Sequence, residues 1–415
     1  MARPSSRETA IAALREWRAG EQFADSILGR LLRSSLLTER DRAFVTELFY
    51  GVLRNLTLLD SWIGLLRSNH LDENTRDLLR LGIYQLFVLK TPEHAAVHET
   101  VDLAGTRNRS LVNAVLRSAV RRKTKLLETA SKQDLRVRES HPQFLIDRWT
   151  RNFGGKNTLN LCQWNNQAAP IYARINLLKI SIDQFLSDYP EAQAVKESVG
   201  FVRLPSVPSN ALARGHCYIQ DPSTATACLQ LDPVPGQVLL DACAAPGGKT
   251  GFLAQLMQNK GRIVACDREQ NRLATLQTNL ENLGVTAAQF VCHDWTTGKI
   301  QTDMIAPSSF DRVLVDAPCS NTGVMRRRVD LRWRLTPNDF ARMHEEQVRI
   351  VRSTIPLLKP GGTLVYSTCS IEPEENQDVV KVILDEFPFL KLTDEKSLLP
   401  FRDGFDGAYA AKLVH

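Results

Sequence analysis

Two cysteines stand where a chain could put a sulfur nucleophile to use. The apolar run 313–315 leads into D-A-P-C-S, which carries Asp316, Pro318 and Cys319, and the run 363–366 leads into S-T-C-S, with Cys369 between Thr368 and Ser370. Both runs read as buried β-strands. Both thiols therefore fall at strand carboxyl ends beside a proline-fixed or hydroxyl-rich turn, where the ligands and catalytic groups of open α/β sheets gather. A thiolate there can form and later break a covalent bond to a substrate. The plainer reading, in which a buried cysteine is only a small hydrophobe, is assigned to Cys162, Cys228 and Cys292. All eight cysteines lie beyond residue 160 and none forms a C-x-x-C pair. Paired metal ligands and dithiol redox motifs are thereby excluded, and no metal is expected.

A second constellation follows the run 238–240. It reads D-A-C-A-A-P-G-G-K-T from Asp241 to Thr250 and passes directly into an amphipathic segment. Strand, tight loop and helix form a nucleotide-binding arrangement. A phosphate loop would need glycine at the place of Cys243, and the dinucleotide fingerprint would need glycines where Ala244 and Ala245 stand. A phosphate-free adenosyl ligand fits better. Asp267, about 20 residues beyond the loop glycines, ends the next strand and can accept hydrogen bonds from both ribose hydroxyls. Asp294 ends the third strand and could receive an adenine amino group, although a lone aspartate at such a place is commonly a turn or helix cap.

The elements that must carry these groups belong to an α/β domain. Strand runs at 238–240, 263–265, 290–292, 313–315 and 363–366 alternate with helical segments such as 271–283 and 344–358, which indicates a parallel sheet covered on both faces. This domain spans 233–415. Residues 141–232, opened by His141-Pro142 and holding a strand candidate at 171–178, form a small α/β linking module. Residues 1–140 show helical spacing throughout, as in Ile11 and Leu14 or Ile27, Leu28, Leu31 and Leu32. They also carry 23 basic against 17 acidic side chains, which accounts for the whole net charge of +6. Between 107 and 125 stand Arg107, Arg109, Arg117, Arg121, Arg122, Lys123 and Lys125 without one acid. Such a run can grip phosphates, or can be a solvated helix face. No run of 18 apolar residues occurs, so a soluble cytoplasmic protein without membrane attachment is expected, as a monomer.

One reaction can demand such a thiol, and a second thiol would allow attack and release to be divided. C5 of cytosine is too weak a nucleophile to attack a methyl sulfonium, but addition of a thiolate to C6 places electron density on C5, and loss of the C5 proton later expels the sulfur. Asp316 could bond the N3 edge of the base, with Lys249 near that carboxylate and the cofactor. Q-D at Gln220 and Asp221, the loop from Asp241 to Thr250, Asp267, Asp294, D-A-P-C-S, T-G-V before the arginine pair Arg326 and Arg327, and K-P-G-G-T-L-V-Y-S-T-C-S ending at Ser370 together resemble the Sun/Fmu-type RNA 5-cytosine methyltransferases nearly end to end.

The resemblance implies a Rossmann-like class I methyltransferase domain, a helical N-terminal domain similar to NusB, and S-adenosylmethionine as cofactor. It implies Cys369 as nucleophile, Cys319 as the thiol that assists release or deprotonation, and a cofactor site at Cys243, Ala244, Ala245, Pro246, Gly247, Gly248, Lys249, Asp267, Asp294 and Asp316. The implied substrate is 16S ribosomal RNA, free or in a small-subunit assembly particle, at cytosine 967. Two departures bear on substrate fit: Arg328-Val329-Asp330 where the family commonly has His-Pro-Asp, in a loop expected to touch RNA, and Ala408 where an aromatic usually follows the glycine. The rival readings are the same chemistry on another RNA, and an RNA-binding ribosome assembly factor that has kept the fold without catalysis; the intact thiol pair argues against the latter.

Overall fold

The computed structural model describes residues 4–297 and 304–415, which divide into two compact units. The first comprises residues 1–168 together with Met325–Arg334. Its helices run from Ser6–Ala19 to Gly155–Asn165 and close on a core that includes Leu14, Leu48, Phe49, Trp62 and Leu116. Local sequence fixes several starts. Ser5 and Glu8 form a reciprocal capping box on the first helix, while Thr38 and Asp72 cap the helices Glu39–Arg54 and Glu73–Phe87. The helix Ala24–Arg33 has Phe23 at its N-cap and no local side-chain cap; Asp330 takes that role, accepting from Ala24 N at 3.0 Å.

Asp330 belongs to the segment expected at RNA, in which Arg328 is exposed while Val329 and Asp330 are buried. Val329 is fully buried in the helical core, and Trp333 Nε1 donates to Leu53 O at 2.9 Å. Arg332 is wholly buried and donates to Asn166 Oδ1 at 2.7 Å and Asn165 O at 3.0 Å. Arg326 lies 4.0 Å from the Trp164 ring. The departure from the family pattern at Val329 thus falls on an internal support of this unit, and that at Arg328 on its surface. The basic run is also divided. Arg107, Arg109, Arg117, Arg121 and Lys125 are exposed, whereas Arg122 donates to Leu65 O and Lys123 to Leu86 O, each completing a backbone partner.

The second unit comprises residues 169–324 and 335–415. A small antiparallel sheet is ordered β2-β3-β1-β4, with β1 Ile171–Ile175, β2 Gln193–Ala194, β3 Phe201–Leu204 and β4 Cys217–Ile219. The first strand stops short of the expected residue 178 because the Asn176 amide turns to Gly215 O and Leu283 O, both at 2.8 Å.

The large sheet is ordered β10-β11-β9-β8-β5-β6-β7. Its parallel strands are β5 Val238–Asp241, β6 Arg262–Asp267, β7 Ala288–Cys292, β8 Phe310–Asp316 and β9 Leu358–Thr368. The strands β10 Lys391–Leu398 and β11 Ala408–Val414 add an antiparallel hairpin beside β9. Leu240, Val264, Val313, Leu364 and Tyr366 sit in one covering core, and Leu239, Ile263, Leu314 and Val365 in the opposite one, as continuous apolar strands require. The order reverses between β5 and β8, which opens a crevice at their carboxyl ends. The helix expected at 344–358 runs instead over Pro337–Thr354; Pro337 and the Thr336–Asp339 capping box start it early, and Pro356 lies beyond its end. Among the described residues no helix is long and apolar enough to cross a membrane.

Candidate active site

The loop leaving β5 is held by backbone bonds across the sheet: Ala242 N donates to Leu314 O, and Ala244 N to Cys266 O at 2.7 Å. Gly247, at φ 106°, turns the chain into the helix Gly248–Leu256, and a Cβ there would stand 2.8 Å from Leu276 Cδ1. A cavity of about 230 Å³ opens on this loop. Cys243, Ala244, Ala245, Pro246, Gly248, Lys249 and Asp316 line it, with Tyr218, Gln220 and Asp241. Asp267 and Asp294 stand at or just past the ends of the next two strands and do not line it.

Three aspartates at this edge differ in what their oxygens do. Asp241, not singled out from sequence, is wholly buried; Oδ2 accepts from Thr250 Oγ1 at 2.7 Å, while Oδ1 has no partner among the described residues. Burial pushes its carboxyl up to about 7. Asp267 accepts from Glu269 N and meets Arg272 Nη1 at 3.3 Å. Asp294 uses Oδ1 to accept from the Thr296 hydroxyl and backbone N, at 2.7 and 2.9 Å. The Thr296 hydroxyl chiefly holds its carboxyl below the usual range. Asp294 therefore serves as a turn cap whether or not it meets a ligand.

β8 and β9 pair with Asp316 opposite Ser367, so the chain turns into the two cysteines side by side. Cys319 Sγ and Cys369 Sγ are 3.3 Å apart. Cys369 Sγ also lies 3.1 Å from Asn321 Oδ1, and Asn321 Nδ2 donates to Cys319 O at 2.7 Å. Asn321 adopts φ 58°, a left-handed conformation that asparagine tolerates. It was not anticipated; its place before Thr322 and Gly323 was the available signal. Gly323 N donates to Cys369 O, and a Cβ on Gly323 would approach that oxygen to 2.6 Å, so glycine is required.

Lys249 Nζ bonds Asp316 Oδ2 at 2.7 Å, and Ser367 donates to Asp316 Oδ1 at 3.2 Å. Burial disfavours the charge on Lys249, yet the Asp316 carboxylate outweighs it and raises the ammonium above its usual range. Lys249 also lines a second, narrow cavity of about 30 Å³ with Cys369, Thr226 and Asp406. The hydrogen bond with Cys369, followed by burial, raises the Cys319 thiol well above an ordinary one. Cys162 and Cys228 are buried and burial pushes both up to about 12, as inert thiols should behave. Cys292 departs from its expected burial: it faces solvent at the end of β7, an edge strand.

A parallel sheet with a glycine loop after its first strand, acids at the strand ends and its substrate-side groups on the adjoining strands defines a Rossmann-like methyltransferase domain. The family model described as "16S rRNA methyltransferase RsmB/F" matches residues 228–414, that of the NusB family matches 4–121, and a ferredoxin-like domain of RsmF/B-like methyltransferases matches 141–201. The probable ribosomal RNA small subunit methyltransferase B of Bacillus subtilis is 31% identical over 94% of this chain and 90% of its own length. The enzyme of that name from Salmonella paratyphi B is 33% identical over 91% of both. The chain belongs to the ribosomal RNA small subunit methyltransferase B family, whose methyl donor is S-adenosylmethionine. Among solved structures, PH0851 covers the whole chain with a TM-score of 0.80 at 24% identity and shares its fold. A methyltransferase homolog from Pyrococcus horikoshii covers 67% of the chain, and 97% of its own, with a TM-score of 0.59 at 29% identity.

The donor suits the larger cavity. It is cationic at sulfur and at its amino group, and the wall presents Asp316 and the unpartnered buried oxygen of Asp241.

Proposed function

We propose that this protein methylates C5 of a cytosine in 16S ribosomal RNA, at cytosine 967, through a covalent bond between Cys369 Sγ and C6. The observation that carries this reading is the contact of two thiols at 3.3 Å beside the Lys249–Asp316 ion pair. Cys369, the less buried of the two, attacks as the thiolate, and the C5–C6 π pair moves onto C5. Asp316 bonds the N3 edge of the base, and Lys249 holds that carboxylate in place. S-adenosylmethionine, which residues 243–249 with Asp241 and Asp316 would hold and toward which Asp267 and Asp294 would reach from the neighbouring strand ends, would supply the methyl group that C5 takes, its S–CH3 bond breaking to leave neutral S-adenosylhomocysteine. Release requires the C5 proton to leave, the C5–C6 double bond to re-form and Sγ to depart. Once Cys369 is bound to carbon, its hydrogen bond and charge no longer raise the Cys319 thiol, while burial and the Glu375 charge still do. Cys319, beside the adduct, is the group that takes the C5 proton once its own has passed to solvent. The exposed cations Arg107, Arg109, Arg117, Arg121 and Lys125 bind the RNA backbone, of free RNA or a small-subunit particle, and the protein acts as a cytoplasmic monomer.

The test is transfer of label from S-adenosylmethionine to unmodified 16S ribosomal RNA, with the product nucleoside identified by mass spectrometry and its position mapped. A single labelled 5-methylcytosine at position 967 is the expected result. Label on another atom or another nucleotide overturns the assignment.

A further inference from the structure

Behind the two sulfurs lies a carboxylate that the reaction above does not use. Glu375, in the short turn Pro373–Glu375, is wholly buried. Its Oε1 accepts from Ser370 Oγ at 2.7 Å and from Ser320 Oγ. Its Oε2 accepts from Ser320 N at 2.8 Å and from Gln347 Nε2 at 3.0 Å. Ser320 directly follows Cys319, and Ser370 directly follows Cys369. Gln347 also donates to Pro318 O at 2.9 Å, which fixes the same turn from the covering helix. Two N–H and two O–H donors thus converge on one acceptor-only group, the pattern of an ionised carboxylate.

We propose that Glu375 is a positioning residue for the thiol pair: its carboxylate spans the two cysteine-bearing turns and holds the sulfurs at contact distance for attack and release. A buried charge is an expensive way to gain stability alone, because its desolvation offsets much of the hydrogen bonding. Here Oε1 joins the two turns, and Oε2 ties the Cys319 turn to the covering helix. The two hydroxyls also meet each other, Ser320 Oγ lying 3.2 Å from Ser370 Oγ, and Thr322 Oγ1 lies 3.2 Å from Ser370 Oγ. The negative charge further favours the thiol form of Cys319.

The kinetic consequence rests on the two-thiol reading above, but the span itself can be measured without RNA. Treating the full-length protein with diamide draws two electrons and two protons from the Cys319 and Cys369 thiols, reduces the diamide to its hydrazine and forms one S–S bond, located by peptide mass spectrometry. Glu375→Asp keeps the charge but lacks one methylene, and should slow this disulfide about tenfold. Glu375→Gln keeps the span, because its NH2 can face the two hydroxyls, which turn to accept. It should form the disulfide at a rate close to wild type while the pH profile of methyl transfer moves to lower pH. In the same variants, Glu375→Asp should lose kcat with little change in KM for S-adenosylmethionine. If Glu375→Asp does not unfold cooperatively, Ser320→Ala and Ser370→Ala, which each remove one turn's hydroxyl from the carboxylate, should each slow the disulfide about threefold. Slowed disulfide formation in a wild-type background that never methylates cytosine leaves the clamp standing and removes the cytosine reading. Folded variants with wild-type disulfide rates and unchanged transfer overturn the clamp.

Discussion

The two cavities that meet at Lys249 are built on opposite plans. On the side assigned to the cofactor the loop wall is small residues from Cys243 to Gly248, faced by Tyr218, Gln220, Lys249 and Asp316, and Asp241 holds an oxygen out of water without a partner among the described residues. The second cavity, of about 30 Å³, is lined by Cys369 with Thr226 and Asp406, and behind the sulfurs, outside that lining, the hydroxyls of Ser320, Thr322 and Ser370 and the Glu375 carboxylate bond one another. An orphaned buried oxygen costs about 1–3 kcal/mol and is relieved by a donor that enters. A closed network has nothing to gain from a ligand and instead fixes geometry. One side is built to receive, the other to hold two sulfurs still.

The sharpest way to break this comparison is to remove a sulfur. Cys369→Ala should lower methyl transfer by roughly four orders of magnitude or more, since the covalent bond to C6 is assigned to that sulfur. Cys319→Ala should still attack but fail to release, leaving a protein–RNA adduct that survives a denaturing gel. If instead Cys369→Ala gives the adduct and Cys319→Ala does not, the two roles are exchanged.

Lys249 is the residue common to both cavities, so its replacement should be felt on both sides. Lys249→Met leaves the Asp316 carboxylate with the Ser367 hydroxyl and without its ammonium. Transfer should fall roughly 100- to 1000-fold, and titration calorimetry should show weaker S-adenosylmethionine binding. A fall in rate with unaltered cofactor affinity would confine Lys249 to the thiol side.

How far these groups could be read beforehand depends on how local their signals are. Four of the five parallel strands were legible because a strand buried on both faces is a continuous apolar run, and the edge strand β7 from the apolar pair Phe290 and Val291. The hairpin β10 and β11 was not, since β10 reads Lys391, Thr393, Asp394, Glu395 and Lys396 along an exposed edge. Cys319, Cys369 and the loop after β5 could be named because a distinctive residue type coincides with a strand end. Asn321 and Glu375 could not, because their importance lies in partners 48 and 55 residues away, in bonds to Cys369 and Ser320. That Val329 and Arg332 support the helical core could not be read for the same reason, since only their packing shows it. Charge and spacing report what a side chain can do, whereas tertiary context decides what it does.

The orphaned oxygen of Asp241 gives a smaller effect that titrates. Its carboxyl, raised to about 7 in the folded protein, binds a proton more tightly there than in the unfolded chain, where about 3.9 applies. The stability this group contributes is fully present below about pH 4 and is lost as pH rises through about 7. The loss amounts to roughly 4 kcal/mol at about 1.4 kcal/mol per unit. Urea unfolding of wild type and Asp241→Asn between pH 5 and 8 should show the difference between them shifting in favour of the variant as pH rises. A constant difference would mean that Asp241 is ionised throughout and already solvated, and the contrast between an open and a closed cavity would lose its main support.

Cations that belong to neither cavity should leave the chemical step alone, and the smallest expected effect tests that limit. Arg117 and Arg121 are exposed on the helix Arg109–Arg121, whereas Arg109 is paired with Asp102 at 3.4 Å. Each cation that neutralises one phosphate contributes about 0.7–0.9 to the slope of log affinity against log salt. Arg117→Gln and Arg121→Gln together should therefore lower the magnitude of that slope by about 1.5, and weaken RNA binding at low salt. Single-turnover transfer at saturating RNA, and the fraction trapped by Cys319→Ala, should stay as they were. An unchanged slope would make this helix a solvated face. A changed single-turnover rate would mean that the chemistry extends beyond the two cavities, because a group that acts only on the phosphate backbone binds the ground state and the transition state equally and cannot alter the rate between them.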